Sequence, residues 1–428
     1  MKAPIAQLRF ILAVIGTLFC DQILAQDLDT SLGGSYRLRY ESLNNPIFPT
    51  TAEVRTQTNQ RLSSRLLVNG RISYGHWEGV AQLQDSRAML DDNDPSLTSN
   101  QVNTFEPLQF YIRYSNVSEN ISAITAGRMT VDHGSRRLLA KGIYRNTANA
   151  FDGIMIDTHW HNWKVRGFYL LPVSRLPTDA DSLDNNDRAF DKSDRRRRFY
   201  GFYVTSPNNQ WAIQNYWLKE ADGPNLATKN RDLYTLSVNY AYTPFAQWKG
   251  TVEVVGQTGT ARETKAATDT LDKTVRAWMV HADIGKPVSD NTFMRAELDL
   301  ASGDNNGADT TINDFDTLYG VRRFDFGPTD VYQAFPRRNL LAGGIRSVTK
   351  LTGAHNIMVA YKALWYLKTT TSDDKFIGHQ LEARWRYQVN EQLQVAMGGA
   401  YLNKGAALTS GDYPDDSLFG FTGFKVTF

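Results

Sequence analysis

Apolar and polar residues alternate with a period of two along most of this chain, most plainly at its end. Thr422, Phe424, Val426 and Phe428 fall on one face there, and Gly423, Lys425 and Thr427 on the other. Such a pattern marks a strand with one greasy side. Read this way, the chain contains about 18 runs, each near the roughly ten residues of a tilted membrane strand. They centre on 35–42, 62–70, 77–85, 108–115, 122–129, 151–158, 163–171, 199–205 and 211–219. The remainder lie at 232–242, 249–257, 275–284, 293–301, 340–348, 356–367, 380–388, 393–402 and 419–428. No stretch keeps a helical period for long.

The connections alternate too. Residues 44–60, 86–106, 131–149, 174–197 and 302–338 are long, whereas 71–76, 116–120, 159–162, 206–210 and 350–355 are short; 369–376 is intermediate. A soluble sandwich has no reason to alternate loop length. The pattern predicts an all-β fold, a single transmembrane antiparallel barrel with short periplasmic turns, long extracellular loops and both termini periplasmic. Its last strand must pair with its first, because lipid cannot hydrogen-bond an open sheet edge. A transporter with a large N-terminal plug is excluded, since the first strand begins soon after the leader.

Three strands assign both faces. Charge facing lipid costs about 2–4 kcal/mol per Arg or Lys at mid-depth. Arg37, Arg39 and Glu41 are therefore placed in the lumen, opposite Tyr36, Leu38 and Tyr40. Arg295, Glu297 and Asp299 oppose Met294, Ala296, Leu298 and Leu300; Glu382, Arg384 and Arg386 oppose Leu381, Ala383, Trp385 and Tyr387. Arg65 and Arg113 fall on polar faces by the same logic. Rings of arginine select anions in a pore, and interleaved acids orient the guanidinium groups. Arg–acid ladders are also common filler of a wide lumen, so the pattern alone does not make each arginine a ligand.

Composition sharpens this picture. The aromatic share of 12% suits rings parked at two membrane interfaces. A mean hydropathy of −0.43 leaves no room for a set of transmembrane helices. The net charge of +2 gives no bias toward nucleic acid. Lys2 and Arg9 precede an apolar run at 10–19 and a small residue at Ala25, which reads as a signal peptide over 1–25 and a barrel over 26–428. The only cysteine, Cys20, lies in the leader behind Phe19, which argues against lipidation and against a disulfide framework in the mature chain. An exported barrel implies the outer membrane as location. Outer-membrane lipids, lipopolysaccharide and the barrel assembly machinery are then its expected partners.

Two segments resemble the alginate export family. Residues 126–156 read AGRMTVDHGSRRLLAKGIYRNTANAFDGIMI, with Gly-Arg leaving a strand, paired arginines, Arg-Asn, and Phe-Asp-Gly opening the next strand. Residues 300–319 read LASGDNNGADTTINDFDTLY, like that family's Ser-Gly-Asp-Asn loop and following Phe-Asp. The resemblance implies an arginine-lined conduit for an anionic uronic-acid polysaccharide, with Arg128, Arg145 and Asp152 at or near the constriction. Gly320-Val321-Arg322-Arg323 stands where the family usually has a His-containing segment. The expected function is selective passive diffusion of an anionic polysaccharide or oligosaccharide; the alternative is a general or small-solute porin with mild anion preference.

Other constellations carry less. Arg195 to Arg198 suit lipopolysaccharide phosphates, or solvent. No cofactor is expected; Asp91, Asp92 and Asp94, and Asp304 with Asp309, suggest loop calcium without the spacing of a defined calcium site. His159-Trp160-His161 fits an interfacial girdle better than a metal pair. No Ser–His pairing suggests an enzyme. Oligomeric state is not encoded.

Overall fold

The computed structural model describes residues 28–46, 58–90, 97–327, 335–369, 374–409 and 415–428. Its strands are β1 (Leu28–Asn44), β2 (Thr58–Tyr74), β3 (Trp77–Met89), β4 (Asn103–Ser115), β5 (Ile121–Met129), β6 (Phe151–Trp160) and β7 (Trp163–Ser174). They continue as β8 (Lys192–Ser193), β9 (Arg197–Thr205), β10 (Trp211–Glu220), β11 (Asp232–Tyr242), β12 (Lys249–Ala261), β13 (Lys273–Ser289) and β14 (Thr292–Ala301). The series ends with β15 (Thr311–Ile312), β16 (Leu340–Lys350), β17 (His355–Trp365), β18 (Phe376–Gln388), β19 (Leu393–Lys404) and β20 (Ser417–Thr427). Three short helices, α1 (Ala180–Asp184), α2 (Arg323–Phe326) and α3 (Ala406–Thr409), sit in loops. Of the twenty strands, β8 and β15 have two residues each and lie in loops, leaving 18 in the wall. Each predicted run falls on one of these wall strands. The leader and the acids Asp91, Asp92 and Asp94 lie outside the described residues.

Closure follows from the pairing. β1 is antiparallel to β2 and to β20, with Ser35 opposite Thr427 and Asn44 opposite Leu418. Gly34 and Phe428 exchange main-chain hydrogen bonds of 2.7 and 3.0 Å, so the chain end is tied into the seam. A Cβ at Gly34 would come within 2.7 Å of the Phe428 ring, which is why that position has none. β1 begins earlier than the alternation suggested, because Asp29, Thr30 and Ser31 carry no apolar period yet still pair with β2.

The outer face is apolar, with Ile112, Ile154, Leu236, Leu298, Ile345 and Leu381 exposed to the bilayer. Near the long-loop end Tyr169, Tyr200, Trp217 and Tyr234 form a row across four strands, with neighbouring centroids 6.0, 5.8 and 4.9 Å apart. Near the short turns Trp77 packs on Tyr114 at 4.6 Å and Trp211 on Tyr240 at 4.3 Å. Two aromatic girdles thus bound the apolar band, as a membrane barrel requires. The interior is filled by loops. Leu138, Leu139 and Phe315, from the loops at 130–150 and 302–339, are buried against Phe151, Phe199, Tyr216, Val255 and Met279 of the wall. Those loops also pair with each other, Ala140 N–H donating to Tyr319 O at 3.1 Å and Val321 N–H to Arg136 O at 3.0 Å.

Candidate functional site

A cavity of about 480 Å³ lies in the half of the lumen nearer the short turns. Nine cationic side chains line it, Arg37, Arg39, Arg65, Arg136, Lys141, Arg323, Arg384, Arg386 and Lys425, against one acid, Asp132. The wall strands create this imbalance by register. Arg37 stands opposite Arg65 on one neighbour and Lys425 on the other, a row of three like charges. Like charges in directly opposed positions destabilise a sheet. Arg384 and Arg386 face Gly398 and Ala396 across the pair, whose small side chains leave the guanidinium groups room. Two buried acids on the same inward faces answer two of these cations: Glu41 pairs with Arg39 at 2.7 Å and Glu382 with Arg323 at 2.7 Å. Arg384, Arg386 and Lys425 carry no ion pair among the described residues.

The tip of the loop at 130–150 docks on these arginines. Gly142 at φ 65° makes the turn that brings Arg145 N–H to its carbonyl at 3.1 Å, and a Cβ there would meet the Arg145 guanidinium at 2.6 Å. Carbonyls of Ile143, Tyr144 and Arg145 then point at the wall. Arg65 donates to Ile143 O at 2.7 Å and Arg145 O at 3.0 Å; Arg37 donates to Tyr144 O at 3.2 Å, Arg145 O at 2.9 Å and Asn146 Oδ1 at 3.1 Å. Arg39 reaches Tyr144 O at 3.3 Å. The Tyr144 ring takes guanidinium carbons from Arg323 at 4.4 Å and Arg39 at 5.3 Å from its centroid. Neutral carbonyls thus occupy donors that would bind an ionised oxygen about twice as strongly.

A buried ionic latch holds both loops in the lumen. Asp325 of α2 accepts from Arg137 at 2.8 and 3.1 Å and from Arg337; Arg137 also donates to Glu253 of the β12 wall at 2.9 Å. Burial alone would raise the Asp325 carboxyl, but Arg137 and Arg337 outweigh it and hold it well below the usual carboxylate range. Nearer the loop's start, His133 hydrogen-bonds Tyr216 Oη at 2.8 Å and stacks on Tyr203 at 4.8 Å. Burial, with Arg166 adding, pushes its pKa down to about 3, so the imidazole is neutral.

The other sequence-assigned residues go elsewhere. Arg128 and Asp152 are not at the cavity. Arg128 opposes Phe110 on one side and Asp152 on the other, so these three share the outward face with Ile112 and Ile154. Period two alone puts Met129 and Phe151 inward and this pair outward. Arg128 is held there by Asp152 at 2.7 Å and Glu106 at 2.7 Å, and Ser193 of the loop at 175–196 donates to Asp152 at 2.7 Å. Arg145 does not line the cavity: its carbonyl accepts from Arg37 and Arg65, and its guanidinium turns away toward Asn100 at 2.8 Å and Asn149 at 3.1 Å. Arg113 is inward but pairs with Asp157 at 3.1 Å, away from the cavity. Arg295 lies 3.3 Å from Asp283, and Glu297 is held by Lys362 at 3.0 Å and Arg346 at 3.1 Å. Arg37, Arg39, Arg65, Arg384 and Arg386 are the assigned arginines that come together. Sequence reasoning missed Tyr144, Arg136, Lys141 and the latch, and saw Arg323 only as part of a departure from a family pattern.

Among the described residues, one group has metal-ligand spacing: His281, Asp299 and Asp325, with ligand atoms within 4.8 Å. Its acids already answer Arg137, Arg337 and Lys362, so a further cation would meet repulsion. Asp304 and Asp309 spend carboxylate oxygens on the N–H groups of Asn306, Asn313 and Thr311.

A family profile described as alginate export matches residues 29–416. No curated protein matches the sequence. Several crystal structures are similar in fold. OccAB1 of Acinetobacter baumannii has a TM-score of 0.61 at 12% identity over 94% of this chain and 96% of that one. A BenF-like porin of Pseudomonas fluorescens has 0.63 at 12%, over 94% and 99%. OpdK of Pseudomonas aeruginosa, with vanillate, has 0.58 at 12%, over 93% and 98%.

Proposed function

Because the chain belongs to the alginate export family and closes into an outer-membrane barrel, we propose that this non-enzymatic channel passes carboxylate-bearing saccharides through its cationic cavity. One observation carries the reading: nine cations face one acid in a single cavity, three of them in a row that costs the sheet stability. Carboxylates entering the cavity replace the loop carbonyls on Arg37, Arg39 and Arg65, then pass to Arg384, Arg386 and Lys425. Several weak sites permit hopping where one strong site would trap.

A second reading, small carboxylates as the solute, is favoured by the cavity's size. About 480 Å³ falls within the roughly 300–1,000 Å³ of sites that enclose small ligands. Current block in planar bilayers separates the two. Uronate oligomers that block more strongly with length support the saccharide reading. Block by vanillate or glucuronate with none by oligomers supports the second, and indifference to both leaves a general porin.

On the outer wall, exposed Arg188, Lys192, Arg195 and Arg198 suit lipopolysaccharide phosphates. Arg198 stands opposite Lys219 on the lipid face, one outward position above the Tyr200–Trp217 pair and so at headgroup level.

A further inference from the structure

A second cavity, of about 500 Å³, lies at the long-loop end of the lumen, among the loops at 221–231, 262–272 and 302–339. The wall residues that reach it, Leu233, Ala261 and Val275, are at the loop ends of β11, β12 and β13. The two cavities are therefore successive along the barrel axis. Between them runs the segment leading into α2. Arg322 lines the outer cavity, while Val321 and Arg323 on either side of it line the inner one. The partition is anchored to the wall by the latch of Asp325, Arg137 and Glu253.

Most charges around the outer cavity are already matched. Arg231 is locked by Glu220 at 2.7 Å and Asp316 at 2.6 Å, and Arg262 by Asp222 at 2.6 Å. Glu263 is taken by Lys273 at 2.9 Å. Two cations are not held this way. Lys229 has no ion pair among the described residues, and Arg338, about half exposed, meets Asp314 only at 3.4 Å. Burial draws the Lys229 pKa below the ordinary lysine value against the opposing pull of Asp316, and the neighbouring Arg338 and Arg231 add to the lowering.

Resting on the saccharide reading above, we propose that the outer cavity is a second carboxylate subsite, formed by Lys229 and Arg338, that loads the channel from the long-loop side. Arg322 and Arg323, adjacent in sequence and facing opposite cavities, hand a uronate carboxylate across the partition. A chain of uronates long enough to reach both cavities engages them together, and its residence time exceeds that of a monomer through effective concentration.

The test is single-channel block by oligouronates added to one side at a time, in wild type and in a Lys229→Gln/Arg338→Gln variant. Both positions are in loops, and their ion pairs are absent or long, so the variant barrel folds. The expected result is a loss of about tenfold or more in the rate of block from the long-loop side, with block from the short-turn side unchanged, the effect of about 1.4 kcal/mol. Equal loss from both sides, or none from either, overturns the second subsite and leaves the inner cavity standing. Absence of block in the wild type from both sides overturns the saccharide reading and this inference together.

Discussion

Replacing Asp325 by Asn should release the loops from the lumen. The substitution keeps side-chain volume and removes one charge, so packing around α2 is preserved. Arg137 retains Glu253 at 2.9 Å, but Arg337, 1% exposed, loses its only ion-pair partner among the described residues. Leaving a buried charge unpaired costs about 3–5 kcal/mol. Hydrogen bonds to Val321 O at 3.2 Å and Arg137 O at 3.4 Å soften that loss, so the lower end applies. About 3 kcal/mol corresponds to a rise of roughly a hundred-fold in the undocked-to-docked ratio. In planar bilayers the variant should show large-amplitude openings roughly a hundred times more often than wild type. Its heat-modifiable mobility in detergent gels should be unchanged, because the β-ladders do not involve Asp325. An Asp325→Asn barrel that is intact and gates like wild type would refute the latch.

Asp325 stays ionised because its carboxyl is held low in the folded state, so its contribution is present above the unfolded carboxylate pKa and lost only as pH falls through the folded value. Opening frequency should therefore be flat between about pH 5 and pH 8; a rise on mild acidification would contradict the assignment. Asp191 behaves oppositely. Burial raises it to about 6, although Leu176 N–H and Asn103 hydrogen-bond its carboxylate, so its contribution is full below the unfolded pKa and fades as pH rises through 6. Protection of the loop at 175–196 from protease should improve by about 1 kcal/mol or more from pH 7 to pH 5, and Asp191→Asn should weaken the trend. Arg128→Ala strands Glu106, so the same loop should become protease-sensitive while ion selectivity is unchanged; lost selectivity would return Arg128 to the pathway. Tyr144→Ala removes the ring shared by Arg39 and Arg323, and single-channel conductance should rise with the sign of selectivity kept.

The wall was legible because lipid enforces it. An outward charge is costly, so period two reported strands, faces and the inward placement of Arg37, Arg39, Arg65, Arg384 and Arg386. The loops were not legible for an equally physical reason. Their fold rests on contacts such as Arg137 to Asp325, 188 residues apart, between side chains with no local pattern. Arg128 and Asp152 were misplaced because a motif resemblance transfers residue order without transferring face; counting alternation from Ile124 and Ala126 would have set Arg128 outward. The charge of Arg145 points to a ligand role, whereas what the inner site uses is its carbonyl, bound by Arg37 and Arg65. Gly142, a glycine before Ile143 and Tyr144, was the one local sign of the turn that presents it.

On the proposed function, unmatched arginines in the inner cavity choose the ion. Reversal potential in a potassium chloride gradient, for wild type and for Arg384→Ala/Arg386→Ala, tests it most directly. The wild type should be anion-selective, and its reversal potential should move toward zero when the two arginines are removed. A cation-selective wild type, or a selectivity that survives their removal unchanged, would contradict it.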